Sequence, residues 1–187
     1  RKTLDEDLKK KYSILFEKYF LKSFSSRLAE YTNPEIDVTN KEKLKLVAKE
    51  TVDIKGIGLY TLGKHRKGIN ENQKKKYNDL FEKYFLKSFS SRLSEWTNPE
   101  INVISQNTIN KKYTIVNSIL KGTNERPEVK IDWRIYTKDP DNPLIRDVII
   151  EGLSLARTQK EEFSSILNSN NGDINALFKT LEEFSKN

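Results

Sequence analysis

The one histidine of this chain, His65, is the side chain with the widest chemical repertoire in the sequence. Histidine is a common general base and a common metal ligand. His65 stands in the basic run Lys64-His65-Arg66-Lys67, and a lone histidine in a chain without cysteine cannot build a zinc cluster. Gly63 and Gly68 flank the run but lack the strand-then-helix context of a phosphate-binding loop. The sequence therefore predicts a surface histidine, with no catalytic residue and no metal site.

Two aspartates on predicted strands, Asp132 and Asp147, could in principle work as a carboxylate pair. Such pairs act as general acid and base when their environments separate their pKa values. Arg134 and Arg146 lie close to them in the sequence. Ion pairs on the strand faces are therefore the favoured interpretation, and we expect no enzyme activity from these residues.

The composition is that of a chain with a real core and no membrane-spanning segment. Of 187 residues, 35% are hydrophobic, with two Trp, eight Tyr and nine Phe, which is enough for one domain of ordinary size. No apolar run reaches the roughly 18 residues that a transmembrane helix needs. The absence of cysteine excludes disulfides and cysteine nucleophiles. The sequence starts at Arg1, and we expect a processed chain from which a secretory signal has been removed.

The net charge of +7 is concentrated in one segment. Residues 41–76 contain 11 Lys or Arg and 4 Asp or Glu, a surplus of 7, while the rest of the chain carries 23 of each sign. A solvated lysine-rich surface is one interpretation, and attraction to anionic lipid headgroups or to an acidic partner is another. No recognised nucleic-acid-binding module accompanies the charge, so we expect no nucleic acid partner.

An internal repeat covers residues 9–38 and 74–103, with 25 of 30 positions identical at an offset of 65. Two copies are too few for a solenoid. Each copy has the spacing of an amphipathic helix, and in the second copy the apolar arc spans roughly 220°, wider than the usual stripe of about 100°. This width predicts a helix packed on two sides. Asn70 and Gln73 form a capping-box-like start, and Thr32-Asn33-Pro34 and Thr97-Asn98-Pro99 predict the helix ends.

The remaining pattern predicts an α+β fold. A further helix is expected across 41–66, weakened by Gly56 and Gly58. From residue 101 the period changes to two, and strands are predicted at 101–108, 113–120, 128–136 and 144–151. Short connections imply an antiparallel meander of four or more strands. Two helices close the chain, one with a capping box at Thr158-Gln159-Lys160-Glu161, and a break at Asn171-Gly172-Asp173 precedes the other.

Three stretches of the sequence resemble the MlaC family, the periplasmic phospholipid carriers also called toluene-tolerance proteins. The first is VDIKGIGLYTLGKHRKGINENQKKKYNDLFEKYF at 52–85, and the second is the strand pair YTIVNSIL and VKIDWRIY. The third is DVIIEGLSLARTQKEEFSSIL at 147–167, followed by NNGDINALFKTLEEF. The Glu-Gly-Leu-Ser-Leu segment with the helix behind it is the most specific piece.

The resemblance implies a soluble protein that shuttles one phospholipid between outer- and inner-membrane complexes of an ABC transport system in the periplasm of a Gram-negative bacterium. It implies a single domain over 1–187. The chain departs from the family at its front, where the repeat copy within 1–40 is expected to replace the usual first helix. The alternative is that this copy competes for the position of the second copy and promotes exchange between chains. Helices at 41–100, a sheet at 101–152 and helices at 153–187 enclose an apolar cavity. No cofactor is implied beyond phospholipid as cargo, and a monomer is favoured.

The expected lining of that cavity comes from the third strand, its neighbours and the helices. It comprises Tyr60, Phe81, Phe85, Phe89, Ile115, Ile119, Ile131, Trp133, Ile135, Val148 and Ile150. Lys64, Arg66 and Lys67 are expected near its mouth, where they could screen the phosphate or dock an acidic transporter face. Ordinary core packing is the competing interpretation for every lining residue. Two other functions stay open: a cone-shaped α+β enzyme acting on a small apolar substrate, and a non-catalytic adaptor module.

Overall fold

The computed structural model describes residues 37–94, 101–122, 126–139 and 141–186. The helices in these ranges are α1 (Asp37–Thr51), α2 (Ile54–Thr61), α3 (Glu71–Ser94), α4 (Leu155–Ser169) and α5 (Ile174–Lys186), with a 3-10 turn at Gly63–Lys67. The strands are β1 (Ile101–Asn110), β2 (Tyr113–Leu120), β3 (Val129–Tyr136), β4 (Leu144–Ile150) and β5 (Leu153–Ser154). The predicted α+β class, with helices, then a sheet, then helices, is confirmed.

The second copy of the repeat supplies most of α3, and its start is capped as predicted. The Gln73 backbone N–H donates to Asn70 Oδ1 at 2.9 Å, and the Asn70 N–H donates to Gln73 Oε1 at 2.9 Å. This reciprocal pair is a capping box, which satisfies donors left free at a helix start. The first copy lies outside the described residues except for its last two positions, and the two predicted Thr-Asn-Pro helix ends lie outside them as well.

The single helix predicted across 41–66 is wrong, because the chain breaks at Val52 and Asp53. Val52 forms a parallel β-bridge with Ile145 of β4, and the Asp53 N–H donates to the Ile145 carbonyl at 2.9 Å. The Asp53 carboxylate then caps α2 by accepting from the Gly56 N–H at 2.8 Å. A contact with a distant strand therefore ends α1, while the glycines that were expected to weaken the helix lie inside α2.

The sheet is an antiparallel meander in the order β1-β2-β3-β4-β5, which confirms the predicted topology. In β3, alternation places Ile131, Trp133 and Ile135 in the core, with 7%, 7% and 1% exposure. Irregularities interrupt the register of β1 at two places and of β4 opposite Arg134 and Ile135. Bulges of this kind bend and twist a strand locally.

The Glu-Gly-Leu-Ser-Leu segment forms the turn between β4 and β5, the strand β5 and the start of α4. Glu151 and Gly152 both have positive φ, 48° and 82°, as a tight two-residue hairpin turn requires. Ser154 is the N-cap of α4, accepting from the Arg157 N–H at 3.1 Å. The capping box predicted at Thr158 is therefore wrong: α4 begins at Leu155, and the Thr158 hydroxyl donates to the Ser154 carbonyl inside the helix.

The described helices and strands share one hydrophobic core. Helix α3 packs against α1, α2 and α5, so the predicted packing of its wide apolar arc on more than one side is confirmed. At Gly58 the backbone of α2 approaches α3 so closely that an added Cβ would lie 2.8 Å from Phe81 Cδ1. The most extensive contacts between helices and sheet are those of α2 and α4 with β4. The helices are therefore attached to the sheet mainly at β4.

Candidate functional site

The face of the sheet that joins the helical core is apolar along rows of paired residues. In the central row, Val116 pairs with Trp133, and Trp133 pairs with Val148. In the next row Ile131 pairs with Ile150. Because paired residues of antiparallel strands project to the same side, these side chains share one face. The predicted lining residues on this face are Ile131, Trp133, Ile135, Val148 and Ile150.

Two predicted lining residues, Ile115 and Ile119, lie on the opposite face. Ile115 pairs with Arg134, and Ile119 pairs with Lys130, whose side chains are exposed. Their buried neighbour on β2 is Val116, which is 0% exposed. Side chains alternate between the two faces of a strand. The expectation that Ile115 and Ile119 share a face with Trp133 is therefore wrong.

The three predicted phenylalanines of α3 form a continuous aromatic ladder. The ring centroids of Phe81 and Phe85 lie 6.1 Å apart, and those of Phe85 and Phe89 lie 5.7 Å apart in a stacked arrangement. Phe81 is 2% exposed and meets Phe163 of α4 edge to face at 6.2 Å. Phe85 and Phe89 are only half-buried. The ladder therefore starts in the core and becomes accessible toward the end of α3.

The sheet shows the same gradient of burial. Ile135 and its partner Ile145 are 1% and 2% exposed. At the other end of the strands, Leu120 pairs with the half-buried Ile101 of β1 and with the half-buried Val129 of β3. The apolar face is therefore closed at the Ile135 end and partly open at the Leu120 end.

Chain connectivity limits the distance between these two partly open ends. Helix α3 ends at Ser94 and β1 begins at Ile101, so at most about 24 Å separates them. The other end of α3, at Glu71, is about 35 Å from Ser94. We call the half-buried set that packs on the core here the apolar wedge. It consists of Phe85, Phe89, Ile101, Val103 and Val129.

Sequence reasoning missed Ile101, Val103 and Val129 as members of this set. The available signal was strand alternation, because Val129 stands two residues before Ile131 on the same face. The three residues complete the open end of the sheet face that Trp133 and Ile131 occupy.

Two buried polar side chains of the core, Trp133 and Tyr77, have hydrogen-bond partners. The Trp133 indole N–H donates to Ser118 Oγ at 2.9 Å, and that hydroxyl donates to the Ile131 carbonyl at 2.8 Å. The Tyr77 hydroxyl donates to the Gly58 carbonyl at 3.1 Å, and burial raises the pKa of this phenol. Paired polar groups add no desolvation cost for an apolar ligand nearby.

The two aspartates considered as a carboxylate pair have structural partners. Asp147, 4% exposed, accepts from the Ser154 hydroxyl at 2.6 Å and from the Ala156 N–H at 3.0 Å, and Arg134 lies 3.7 Å away. Asp132 accepts from Asn117 Nδ2 at 2.7 Å. Among the residues that the structure describes, no group of three or more His, Asp or Glu side chains could hold a metal ion.

The remaining predicted site residues lie away from the apolar wedge. Tyr60 is 43% exposed, with Lys160 Nζ 5.2 Å from its ring centroid. Lys64, Arg66 and Lys67 project from the 3-10 turn before α3 and are exposed. From Glu71, just after this turn, to Phe89 is about 27 Å along α3. The structure therefore does not bring the basic residues together with the open end of the apolar face.

These features define an α+β protein with an antiparallel sheet that is apolar on one face, an aromatic helix, and a half-buried apolar set on the core. A model of the MlaC protein family matches residues 39–183. The match spans well over half of the sequence, and the chain belongs to the MlaC family. The family resemblance read from the sequence is confirmed.

A solved structure shares the fold. It is that of the phospholipid-binding protein from Ralstonia solanacearum in complex with a phospholipid, with a TM-score of 0.72 and 20% sequence identity. The match covers 88% of this chain and 93% of that one. No curated protein matches the sequence. None of the helices in the described ranges is long and apolar enough to cross a membrane.

Proposed function

We propose that this chain binds a phospholipid, with its acyl chains against the apolar wedge, and carries it between membranes. Membership of the MlaC family supports the proposal, as does the shared fold with a protein that holds a phospholipid. The observation that carries it is the half-buried set Phe85, Phe89, Ile101, Val103 and Val129, continuous with the core. Partly exposed apolar side chains that adjoin the core offer a surface that a bound acyl chain would cover.

The energetics of the cargo explain why such a surface is needed. Each acyl CH₂ removed from water contributes about 0.8 kcal/mol, so two long chains represent on the order of 20 kcal/mol. A carrier must cover the chains while leaving the headgroup in water. The aromatic ladder on one side and Ile131, Trp133, Val148 and Ile150 on the other supply apolar walls. In this proposal the chains enter between them at the wedge.

The proposal includes a periplasmic location and delivery between outer- and inner-membrane complexes of an ABC transport system. In this proposal the protein binds no cofactor, and the phospholipid cargo is its only small-molecule ligand. Lys64, Arg66 and Lys67 are assigned to partner docking rather than to headgroup contact, because they precede α3, along which Glu71 and Phe89 are about 27 Å apart. The enzyme alternative is not favoured, because Asp147, the one buried carboxylate among the described residues, already holds the start of α4.

Native mass spectrometry of the freshly purified protein, with lipid extraction from the same sample, tests the proposal. We expect phospholipid at one molecule per chain. A Val103→Trp, Val129→Trp double variant should fill the apolar wedge and lose the lipid. An Ile119→Trp variant, on the opposite face of the sheet, should retain it and is the matched control.

Two results would contradict phospholipid binding at this position. A lipid-free mass that stays unchanged after incubation with liposomes would mean that the wedge is part of the core, and an adaptor function would then be favoured. Equal lipid content in the wedge variant and in wild type, both correctly folded by circular dichroism, would place the lipid elsewhere.

A further inference from the structure

The basic turn, Gly63–Lys67, adjoins a groove on the outer side of α4. The groove has a volume of about 720 Å³ and is lined by Tyr60, Arg157, Lys160, Glu161, Ser164, Ser165, Asn168 and Ser169. Lys160 joins the two features, since its Nζ lies 5.2 Å from the Tyr60 ring centroid. Its stem lies against the turn, where a Cβ added at Gly63 would be 3.1 Å from Lys160 Cε. Turn and groove therefore form one continuous surface.

This surface carries more positive than negative charge, because Glu161, the carboxylate in the groove lining, is already paired with Arg157 at 3.0 Å. Some exposed lysines elsewhere in the described part of the chain meet carboxylates: Lys49 lies 2.8 Å from Glu82, and Lys76 lies 3.0 Å from Glu182. In the described ranges, no carboxylate lies within 4.0 Å of Lys64, Arg66 or Lys67. Unpaired like charges that border a concavity raise the local potential and attract opposite charge.

The turn is held in place by its own backbone hydrogen bonds. The His65 N–H donates to the Leu62 carbonyl at 3.1 Å, and the Gly68 N–H donates to the His65 carbonyl at 3.0 Å. Leu62 is 0% exposed. The three cations thus project from a fixed base. A preformed surface loses less conformational entropy on binding than a flexible loop does.

We propose that this surface docks an acidic segment of a partner protein. The carboxylates of the segment pair with Lys64, Arg66 and Lys67, and its backbone lies in the groove, against Tyr60 and the hydroxyls of Ser164 and Ser165. A bilayer fits less well, because a flat surface would touch the cations but could not enter the groove. Neither the turn nor the groove lining contains an aliphatic side chain that could insert into lipid.

This inference rests on the proposed carrier function for its biological meaning, since a carrier must be recognised by the complexes that load and unload it. The docking surface lies at the Glu71 end of α3, and the apolar wedge lies toward the Ser94 end. Cargo and partner can therefore be bound at the same time.

The test uses the full chain and a short fluorescent peptide of alternating glutamate and serine, with fluorescence anisotropy at low ionic strength. A Lys64→Glu, Arg66→Glu, Lys67→Glu variant should bind the peptide about tenfold more weakly or worse. A Ser165→Trp variant, which fills the groove without changing the charge, should also weaken binding. The matched control is Lys111→Glu, Lys112→Glu, Lys138→Glu, with the same change in net charge at exposed positions elsewhere, and it should bind nearly as wild type does.

Three outcomes would overturn the docking proposal. Equal loss in the control variant would show that net charge alone attracts the peptide. Unchanged binding by Ser165→Trp would remove the groove from the site. Phosphatidylglycerol vesicles that bind the wild type and lose affinity in the turn variant, when the peptide does not, would identify a membrane as the occupant. Lipid content is measured on the same variants, so that peptide binding and cargo binding are tested separately. A variant that still carries lipid but no longer binds the peptide has lost docking and kept its cargo.

Discussion

Arg146 of β4 and Asp53 at the start of α2 form an ion pair that joins the helices to the sheet, with Arg146 Nη2 2.6 Å from Asp53 Oδ2. Arg146 Nε donates to the same oxygen at 2.6 Å, which makes the contact bidentate from the guanidinium. The guanidinium also donates to the Tyr113 hydroxyl at 2.9 Å and lies 3.8 Å from the Tyr136 ring centroid. One arginine therefore connects three strands to the helix junction.

We expect Arg146→Met to lower the free energy of unfolding by about 2 kcal/mol, because hydrogen bonds to a partly buried charged group are lost and Asp53 is left unpaired. Arg146→Lys should recover only part of the lost stability. An ammonium group can neither donate two parallel hydrogen bonds to Asp53 nor stack on the Tyr136 ring as a guanidinium does. Urea unfolding followed by tryptophan fluorescence measures both variants.

The matched control for this ion pair is Arg157→Met, which removes an exposed ion pair with Glu161 at 3.0 Å on α4. Exposed pairs of this kind contribute little, so the unfolding midpoint should stay close to that of wild type. Equal midpoints for Arg146→Met and Arg157→Met would contradict the role assigned to the Arg146–Asp53 pair.

The N-cap of α4 is a second point where one side chain serves two elements. Ser154 Oγ accepts from the Arg157 N–H and donates to the buried Asp147 carboxylate. Ser154→Ala should therefore cost about 2 kcal/mol, made up of a lost cap and a weakened buried carboxylate. Thermal and urea unfolding should agree on this value.

Thr158 provides the internal comparison for that prediction, because the sequence pattern places the cap there and the structure does not. Its hydroxyl donates to the Ser154 carbonyl within the helix, so Thr158→Ala should change stability by less than about 0.5 kcal/mol. A larger loss for Thr158→Ala than for Ser154→Ala would show that α4 starts at the position predicted from sequence.

Local patterns predicted the elements whose determinants lie close together in the chain. Asn70 and Gln73 are three residues apart, and their reciprocal capping is a property of that spacing. In β3, apolar and polar residues alternate, so the face that carries Trp133 is decided within the strand. Features of this kind can be read from sequence because no distant contact competes with them.

Features that depend on distant contacts or on ambiguous patterns could not be predicted. The break at Val52 depends on Ile145, which lies more than ninety positions away. In β2, apolar residues occupy both faces, with Ile115 and Ile119 on one side and Val116 on the other. Its register relative to β3 therefore decides which face is buried.

Tyr77 should make the stability depend on alkaline pH. Burial raises the pKa of its phenol above the value of about 10 of an unfolded chain. The stabilisation is therefore complete below about pH 10 and is lost as the pH rises above it, by up to about 1.4 kcal/mol per pH unit. Tyr77→Phe should reduce this slope.

The same variant should lose about 1 kcal/mol at neutral pH, because the hydrogen bonds with Thr61 and the Gly58 carbonyl disappear. Tyr136→Phe is the control, and it should retain the alkaline slope because Tyr77 remains. Urea unfolding at a series of pH values from neutral to alkaline measures both variants. An identical slope in wild type and Tyr77→Phe would mean that other groups cause the alkaline loss.

Gly58 controls how closely α2 approaches the base of the aromatic ladder. A Cβ at this position would lie 2.8 Å from Phe81 Cδ1, and Phe81 is confined by Tyr77 and Phe163. Alanine favours a helix over glycine by about 1 kcal/mol, whereas overpacking a core costs about 1–3 kcal/mol. We therefore expect Gly58→Ala to destabilise the protein by about 1 kcal/mol net.

A double-mutant cycle with Phe81→Leu identifies the cause of that loss. In the Phe81→Leu background the smaller leucine side chain relieves the clash, so Gly58→Ala should become neutral or stabilising. The coupling energy between the two substitutions should be at least about 1 kcal/mol. Gly68→Ala is the control, because its added Cβ would meet only the His65 carbonyl oxygen at 3.7 Å, and it should leave the unfolding midpoint nearly unchanged. Additive effects of Gly58→Ala and Phe81→Leu would mean that α2 and α3 are not in close contact at Gly58, and the ladder would then lack the fixed base that the proposed acyl-chain site requires.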